Sequence, residues 1–490
     1  MDGRTSITHP LLIAEVSAGP SLGRVGLTFC PGKRQSGAVS GSWARDLGLD
    51  LDAIEAWGAA AVVTLVEQDE LEQLGVVGIG AAVANRHMSW FHLPITDVST
   101  PESRFEEEWA ETGAALRAIL RSGFDVLIHC KGGLGRAGMI SARLLVELGW
   151  APDDAIAAVR RERPGAIETS AQEAHVRAQF MIEEPERDQG PRTVRDRAIG
   201  CLLGLAVGDA VGTTLEFKRR DSYPRLTDMV GGGPFGLEAG QWTDDTAMAL
   251  ALGHSLVAQR ELDEHDLMTR FVAWCRRGEY SCTSNCFDIG ITTRDALARF
   301  ESCGDPIAGS TDPQAAGNGS LMRLAPVVLN SFVSGPVGGG DIARRQSATT
   351  HGAPVCLDAC EQFSFILYLA MSGRNRSFVF QPRERGGEAE IARSISGSWR
   401  GARREQIKST GYVAHSLEAA LWCVGRTASF RDAVLLAANL GDDADTTAAI
   451  TGQLAGALYG KEGIPSDWLE KLAWRDTIEE LAVSLFENND

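Results

Sequence analysis

Two groupings of side chains in this sequence could do chemistry. The first is a single stretch, "HCKGGLGRAG", in which Cys130 is separated from Arg136 by a glycine-rich run. The second is a pair of acidic runs far apart in the chain, "QWTDDTAMALAL" and "GDDADTTAAITG". A glycine-rich turn between an apolar run, "FDVLI", and a helical pattern aims backbone N–H groups and the positive end of a helix dipole into one small concavity. Such a place binds a tetrahedral dianion. The same field favours a thiolate, because cysteines at helix N-termini lose their proton below the usual ~8.5. Cys130 therefore reads as a nucleophile for phosphorus. Arg136 reads as its clamp, since a planar guanidinium can hold two phosphate oxygens at once. Lys131, Gly132, Gly133, Leu134 and Gly135 are the expected phosphate-binding loop.

The pattern His-Cys-x5-Arg resembles the cysteine-dependent phosphatases of the dual-specificity branch. Together with "GRVGLTFCPGKRQ" and "RPGAIET" it is similar to the kinase-associated phosphatase subgroup, and the likeness spans residues 10 to 182. In that family an aspartate on a mobile loop before the cysteine protonates the leaving oxygen, and "WFHLPITDVSTP" offers Asp97 in that place. The resemblance implies that Asp97 is the general acid, and then the base for the water that cleaves the thiophosphate. Ala137 is a departure, because the family commonly has Ser or Thr after the arginine, with a hydroxyl that stabilises the departing sulfur. Slow breakdown of the phosphoenzyme is the expectation.

Thr243, Asp244 and Asp245 head one helical pattern; Asp442, Asp443, Asp445 and Thr446 head another. Asp and Thr are favoured N-caps, and the helix dipole welcomes negative charge, so either run alone reads as a cap. If the two heads converge, five carboxylates share one cleft, and the physical remedy is a hard cation bound through oxygen. The metal expected is magnesium or manganese, as a pair.

The phrases "RAIGCLLGLAVGDAVGTTLEF", "QWTDDTAMAL", "CFDIGITT", "AAGNGSLMRLAP", "THGAP" and "GDDADTTAAITGQLAGALYG" occur in the order found in ADP-ribosylglycohydrolases, and the resemblance covers residues 194 to 472. It implies that Thr243, Asp244, Asp245, Asp443, Asp445 and Thr446 hold a binuclear Mg2+ or Mn2+ centre, with Glu216 beside it. It further implies that Gly317, Asn318, Gly319 and Ser320 form a substrate loop and that His351 lies near the ribose. The reaction implied is metal-assisted hydrolysis of an N- or O-glycosidic bond, with the base open between Glu216 and Asp245. Asp442 stands where the family usually has glycine, and it either supports a ligand from behind or faces solvent.

The elements that must position these groups fall into two domains, since 490 residues exceed what one hydrophobic core accommodates. Up to residue 185, short β-branched runs such as "AAAVVTLV" alternate with helical stretches, which predicts an α/β domain around a mostly parallel sheet. A polar, Pro- and Gly-containing linker is expected at 186–193. From 194 to 490 the patterns are helical and alanine-rich, which predicts an all-α domain. Glycines 200, 204, 208 and 212, and again 452, 456 and 460, form stripes for close helix packing in a soluble core. The segment 381–397 reads as a solvated loop.

The net charge of −18 argues against general nucleic-acid or anionic-membrane binding. The longest apolar run is interrupted by Asp209, so no membrane span is expected. Ten scattered cysteines and the absence of a basic-then-apolar start favour the cytoplasm. The expected partners are an ADP-ribosylated protein or small molecule and a phosphate monoester. The sequence thus reads as a bifunctional hydrolase. The alternative is an ADP-ribosyl hydrolase whose N-terminal domain is a phospho-binding targeting module with little phosphatase activity.

Overall fold

The β-branched runs become strands in the computed structural model, which describes residues 4–37 and 41–487. They are β1 (Ala14–Ser17), β2 (Arg24–Phe29), β3 (Arg34–Gln35), β4 (Trp43–Ala44), β5 (Ala59–Thr64), β6 (Ser89–His92) and β7 (Asp125–Cys130). β3 and β4 pair with each other, and the rest form one sheet in the order β1-β2-β7-β5-β6. Among the described residues of this sheet, β1 alone is antiparallel to its neighbour. Every residue of β5 is buried, as expected of a parallel strand covered on both faces. The register sets Cys130 beside Phe29 of β2, and His129 beside Thr64 of β5.

Helices α1 (Leu47–Trp57), α2 (Gln68–Gln73), α3 (Ile79–Ala84), α4 (Ser103–Arg121), α5 (Gly135–Glu147), α6 (Pro152–Glu162) and α7 (Ser170–Arg177) complete this α/β unit. α5 is buried along its whole length, so the turn that leads into it from β7 is held on a rigid core helix. At the far end of α5, buried Glu147 takes hydrogen bonds from Trp109 and Arg143.

The second unit is helical. Its site is built by α8 (Pro191–Gly212), α9 (Asp244–Gln259), α10 (Gly335–Thr350) and α11 (Ala444–Tyr459). The two glycine stripes meet each other. A Cβ on Gly204 would lie 2.2 Å from the Gly452 carbonyl oxygen, and one on Gly456 would lie 1.9 Å from that of Gly200. α8 is long and apolar enough to cross a membrane by length and composition, and 94% of its apolar window is buried within the protein.

The chain divides into two compact units. One comprises the residues up to Pro185 with Arg426–Ala428, and the other Glu186–Gly425 and the residues from Ser429 onward. The stretch 186–193 is bound to the helical unit: the Arg187 N–H donates to the Gly373 carbonyl at 2.8 Å, and α8 already begins at Pro191. The segment 381–397 differs from the expected loop. It contains a helix, Ala389–Ile395, because Ile391 and Ile395 supply an apolar face that is buried.

Candidate active sites

In the α/β unit, β7 delivers Cys130 to the mouth of a turn that α5 closes. Gly133 has φ 70°, and a Cβ there would lie 2.5 Å from the Phe29 nitrogen, so this position requires glycine. Its N–H points back to Cys130 Sγ at 3.2 Å. The Leu134 carbonyl accepts from the N–H groups of Gly138 and Ile167, and a Cβ on Gly135 would meet Glu168 Oε2 at 2.3 Å. Gly132 is open to solvent. Arg163 donates to the carbonyls of Gly133 (3.1 Å) and Gly132 (3.3 Å). His129 is fully buried, with Nε2 2.8 Å from Thr64 Oγ1. Burial pushes its pKa down to about 3, so the ring is neutral.

Arg136 is 1% exposed and carries two carboxylates. It donates to Glu70 at 2.5 and 3.1 Å and to the Ile95 carbonyl at 2.8 Å, and it pairs with Asp97 at 2.8 Å. Its Nε is buried with no partner. Asp97 is exposed, on a loop held by the buried Gln172, whose amide donates to the Ser99 carbonyl at 3.3 Å. Arg136 and Asp97, the expected clamp and acid, are thus in contact, and Cys130 stands at the start of the turn that leads to Arg136. Lys131 pairs with Glu70 at 3.5 Å. Burial alone would raise the Glu70 carboxyl, but hydrogen bonds and charge from Arg136 hold it below its ordinary value. Glu70 escapes sequence reasoning because "EQDELEQ" looks like a solvated acidic face. Ala137 is buried and brings no hydroxyl.

In the helical unit, the heads of α9 and α11 face each other. Thr243 Oγ1 lies 3.4 Å from Asp445 Oδ2, and Thr446 Oγ1 lies 3.4 Å from Asp245 Oδ2. Glu216 Oε2 accepts from the N–H groups of Ala444 (2.7 Å) and Asp445 (3.3 Å), capping α11. Two sets of carboxylates converge within 4.8 Å: Asp209, Asp245 and Asp445, and Glu216, Asp443 and Asp445. Asp209 was visible in the sequence only as a charge inside an apolar run. It takes four hydrogen bonds of 2.7–3.0 Å, from the N–H and hydroxyl groups of Thr243 and Thr246, and so fixes the α9 turn.

Burial first, and then neighbouring carboxylates, raise the acids here. Asp209 and Asp443 are pushed up to about 7 and Asp288 to about 11, while Glu216, Asp244 and Asp245 also rise far above their ordinary values. Asp245 Oδ1 is buried without a partner. An all-oxygen donor set that repels itself, with an orphaned carboxylate oxygen, fits a hard divalent cation.

Beside them is a cavity of ≈ 930 Å³ whose wall includes Glu216, Asp244, Asp288, Asp443 and Asp445. Asp288, within the phrase "CFDIGITT", is an acid of the wall to which the sequence reading gave no role. Gly317, Asn318 and Gly319 line the cavity too. The Asn318 amide donates to Asp443 at 2.6 Å and to Ser416 at 2.8 Å. His351 is in the wall, with Nδ1 2.9 Å from Thr350 Oγ1. A Cβ on Gly319 would lie 2.7 Å from its ring.

Ser320 is a correction to the expected substrate loop. Its hydroxyl is fully buried and bonded to Ser347 and Cys360, because the chain turns inward after Gly319. Asp245 is fully buried and is not among the residues of the cavity wall. Asp442 is exposed at the cavity with φ 58°, which favours the solvent-facing reading.

Residues 190–490 match the family model described as ADP-ribosylglycohydrolase. The chain belongs to the ADP-ribosylglycohydrolase family. A curated relative of this family, the ADP-ribosylarginine hydrolase Tri1 of Pseudomonas putida (strain GB-1), is 46% identical over 297 residues, covering 61% of this chain and 80% of its own length. A solved structure titled ADP-ribosylglycohydrolase-related protein complex is 39% identical with a TM-score of 0.55, over 61% of this chain and 100% of that one. Residues 45–176 match the model described as Swiss Army Knife protein, DSP-PTPase phosphatase domain. A kinase-associated phosphatase structure is 26% identical, with a TM-score of 0.30, over 34% of this chain and 92% of that one. This ADP-ribosylglycohydrolase family member is a hydrolase with an N-terminal phosphatase-like domain.

Proposed function

We propose that the helical unit hydrolyses the N-glycosidic bond between ADP-ribose and an arginine side chain with the help of two Mg2+ or Mn2+ ions, and that the α/β unit hydrolyses phosphate monoesters through Cys130. The observation that carries the first activity is the meeting of two acid-headed helices at one cavity. The arginine linkage is carried over from the name of the Pseudomonas putida relative.

Thr243, Asp244, Asp245, Asp443, Asp445 and Thr446 would hold the ions. Such ions would orient the ribose hydroxyls, polarise the anomeric centre and supply an activated water. Glu216 is the general base in this reading, because it stands in the cavity wall and Asp245 does not. His351, driven down to about 3 by burial and the nearby Arg323, meets the ribose as a neutral ring. The small residues of the Gly317–Gly319 loop let its backbone approach a pyrophosphate.

Incubation with ADP-ribosylated arginine, serine and nucleic-acid substrates, with Mg2+, Mn2+ or chelator, tests this. Release from arginine that needs metal is the expected result, and metal-independent release would overturn it.

In the α/β unit, Cys130 Sγ attacks phosphorus, and Arg136 exchanges Asp97 for two phosphoryl oxygens. Asp97 gives its proton to the departing oxygen, then takes one from the water that breaks the S–P bond. Ala137 favours a second reading, a phospho-binding module with little turnover. Hydrolysis of an aryl phosphate, abolished by Cys130→Ser, decides between them.

A further inference from the structure

Two residues at the cavity of the helical unit have no part in the chemistry proposed above. Phe217 follows Glu216 in the turn after α8, and Asp442 precedes Asp443 at the head of α11. Both line the cavity and both are exposed, Phe217 by 68%. Each has a left-handed backbone with φ 58°, a conformation that asparagine and aspartate tolerate and that is an outlier for a bulky aromatic residue. Two backbone hydrogen bonds hold them there together. The Phe217 N–H donates to the Asp442 carbonyl, and the Asp442 N–H to the Lys218 carbonyl, each at 2.8 Å. Phe235 packs edge-on against the Phe217 ring, with 6.3 Å between centroids, and in turn rests on Phe287 at 5.2 Å. The rest of the Phe217 ring stays in water, and strain that displays an apolar side chain beside a cavity points to a ligand that covers it.

Among the described residues, the cavity wall has carboxylates and no lysine or arginine, and of those carboxylates Asp442 alone is exposed. No hydrogen bond or ion pair holds the Asp442 carboxylate among these residues. Arg220, in the same turn as Phe217, is engaged by the carbonyls of Leu440, Arg404 and Ile407 at 2.7–2.9 Å. An ADP-ribosylated arginine has an anionic end, the pyrophosphate, and a cationic end, the guanidinium. A carboxylate repels the first and attracts the second, and a guanidinium plane stacks on an aromatic face. We infer that Asp442 and Phe217 form the seat of the leaving guanidinium, the carboxylate matching its charge and the ring its plane, and so set a preference for arginine as the carrier of ADP-ribose. The inference rests on the arginine reading proposed above. The seat adjoins Glu216 and Asp443 along the chain, so it receives the guanidinium beside the bond that breaks. There the C–N electron pair leaves with nitrogen, a proton from the attacking water restores the N–H, and the remaining hydroxyl joins the ribose.

The test measures initial rates of the full-length protein on ADP-ribosylarginine with saturating Mg2+ or Mn2+, and, by calorimetry, the affinity for ADP-ribose, which has no guanidinium. Asp442→Asn removes the charge and suits the left-handed backbone, Phe217→Leu removes the aromatic face, and Phe217→Tyr keeps it. Asp442→Asn and Phe217→Leu are each expected to raise KM for ADP-ribosylarginine ~3-fold, and together ~10-fold, while affinity for ADP-ribose stays close to wild type. Phe217→Tyr is expected to restore KM. Added salt is expected to shrink the effect of Asp442→Asn and to leave that of Phe217→Leu. An unchanged KM in both variants overturns the inference. So does a KM that rises in step with a loss of ADP-ribose binding, because the two residues then serve the rest of the site. If the unaltered protein releases nothing from ADP-ribosylarginine with either ion, the arginine reading itself fails, and the seat with it.

Discussion

In the proposed phosphatase reaction, Asp97 and Ala137 bear on opposite ends. Asp97→Asn removes the proton donor while leaving the residue able to reach Arg136. The rate of its burst phase, which reports phosphoryl transfer to Cys130, is expected to fall ~100-fold for phenyl phosphate, within the usual range for a general acid, and much less for p-nitrophenyl phosphate, whose leaving group needs no proton. A fall of equal size on both substrates would remove Asp97 from the acid role. Ala137 brings no hydroxyl to the departing sulfur, so rapid mixing is expected to show a burst of phenol followed by slow turnover. Ala137→Ser is expected to raise the slow phase on the order of several-fold without changing the burst. Fast linear turnover in the unaltered protein would contradict this.

Elements position these residues through backbone fit. The seam of α8 and α11 leaves no room for a methyl group: a Cβ on Gly456 would lie 1.9 Å from the Gly200 oxygen, whereas one on Gly132 meets nothing within 4 Å. Gly456→Ala is expected to cost about 1–3 kcal/mol in urea unfolding, as overpacking does, while Gly132→Ala is expected to leave stability close to wild type.

Strand β7 adds a pH dependence of its own. A buried histidine whose folded pKa lies near 3 contributes stability that is fully present above its ordinary value of ~6.5 and is lost as pH falls towards the folded value. His129→Gln, which can still bond Thr64, should flatten the acid limb of the α/β unit's unfolding curve. An unchanged acid limb would place that dependence elsewhere.

At the scale of the whole molecule, the proposed cation site in the acid cluster would make metal and pH act together on the helical unit. Asp209 and Asp443, raised to about 7, favour the folded state when protonated. Their contribution is present below the ordinary carboxylate value and is lost as pH rises through 7. With chelator, the helical unit's unfolding temperature is therefore expected to fall between about pH 4 and 7. Saturating Mg2+ or Mn2+ should abolish that fall, adding ~2.7 kcal/mol at a hundredfold excess over Kd. Calorimetry with and without chelator reads this directly, and a pH profile unaffected by either ion would argue against a cation in the cluster.

Local patterns were sufficient for much of this protein. The spacing of Cys130, the glycines and Arg136 defines an anion cradle because turn geometry and helix dipole are properties of adjacent residues. The four-residue glycine stripes likewise determined which helix faces pack, and the period of the apolar residues distinguished the α/β part from the helical part. The segment 381–397 misled because its few apolar residues gain a partner only once the surrounding helices exist.

What only the tertiary structure decided were the pairings across long stretches of chain. These are Glu70 on Arg136, Asp209 on the Thr243–Thr246 turn, Asp288 in the cavity wall and Ser320 turned into the core. Electrostatic partnership depends on distance in space, and a sequence records distance only along the chain.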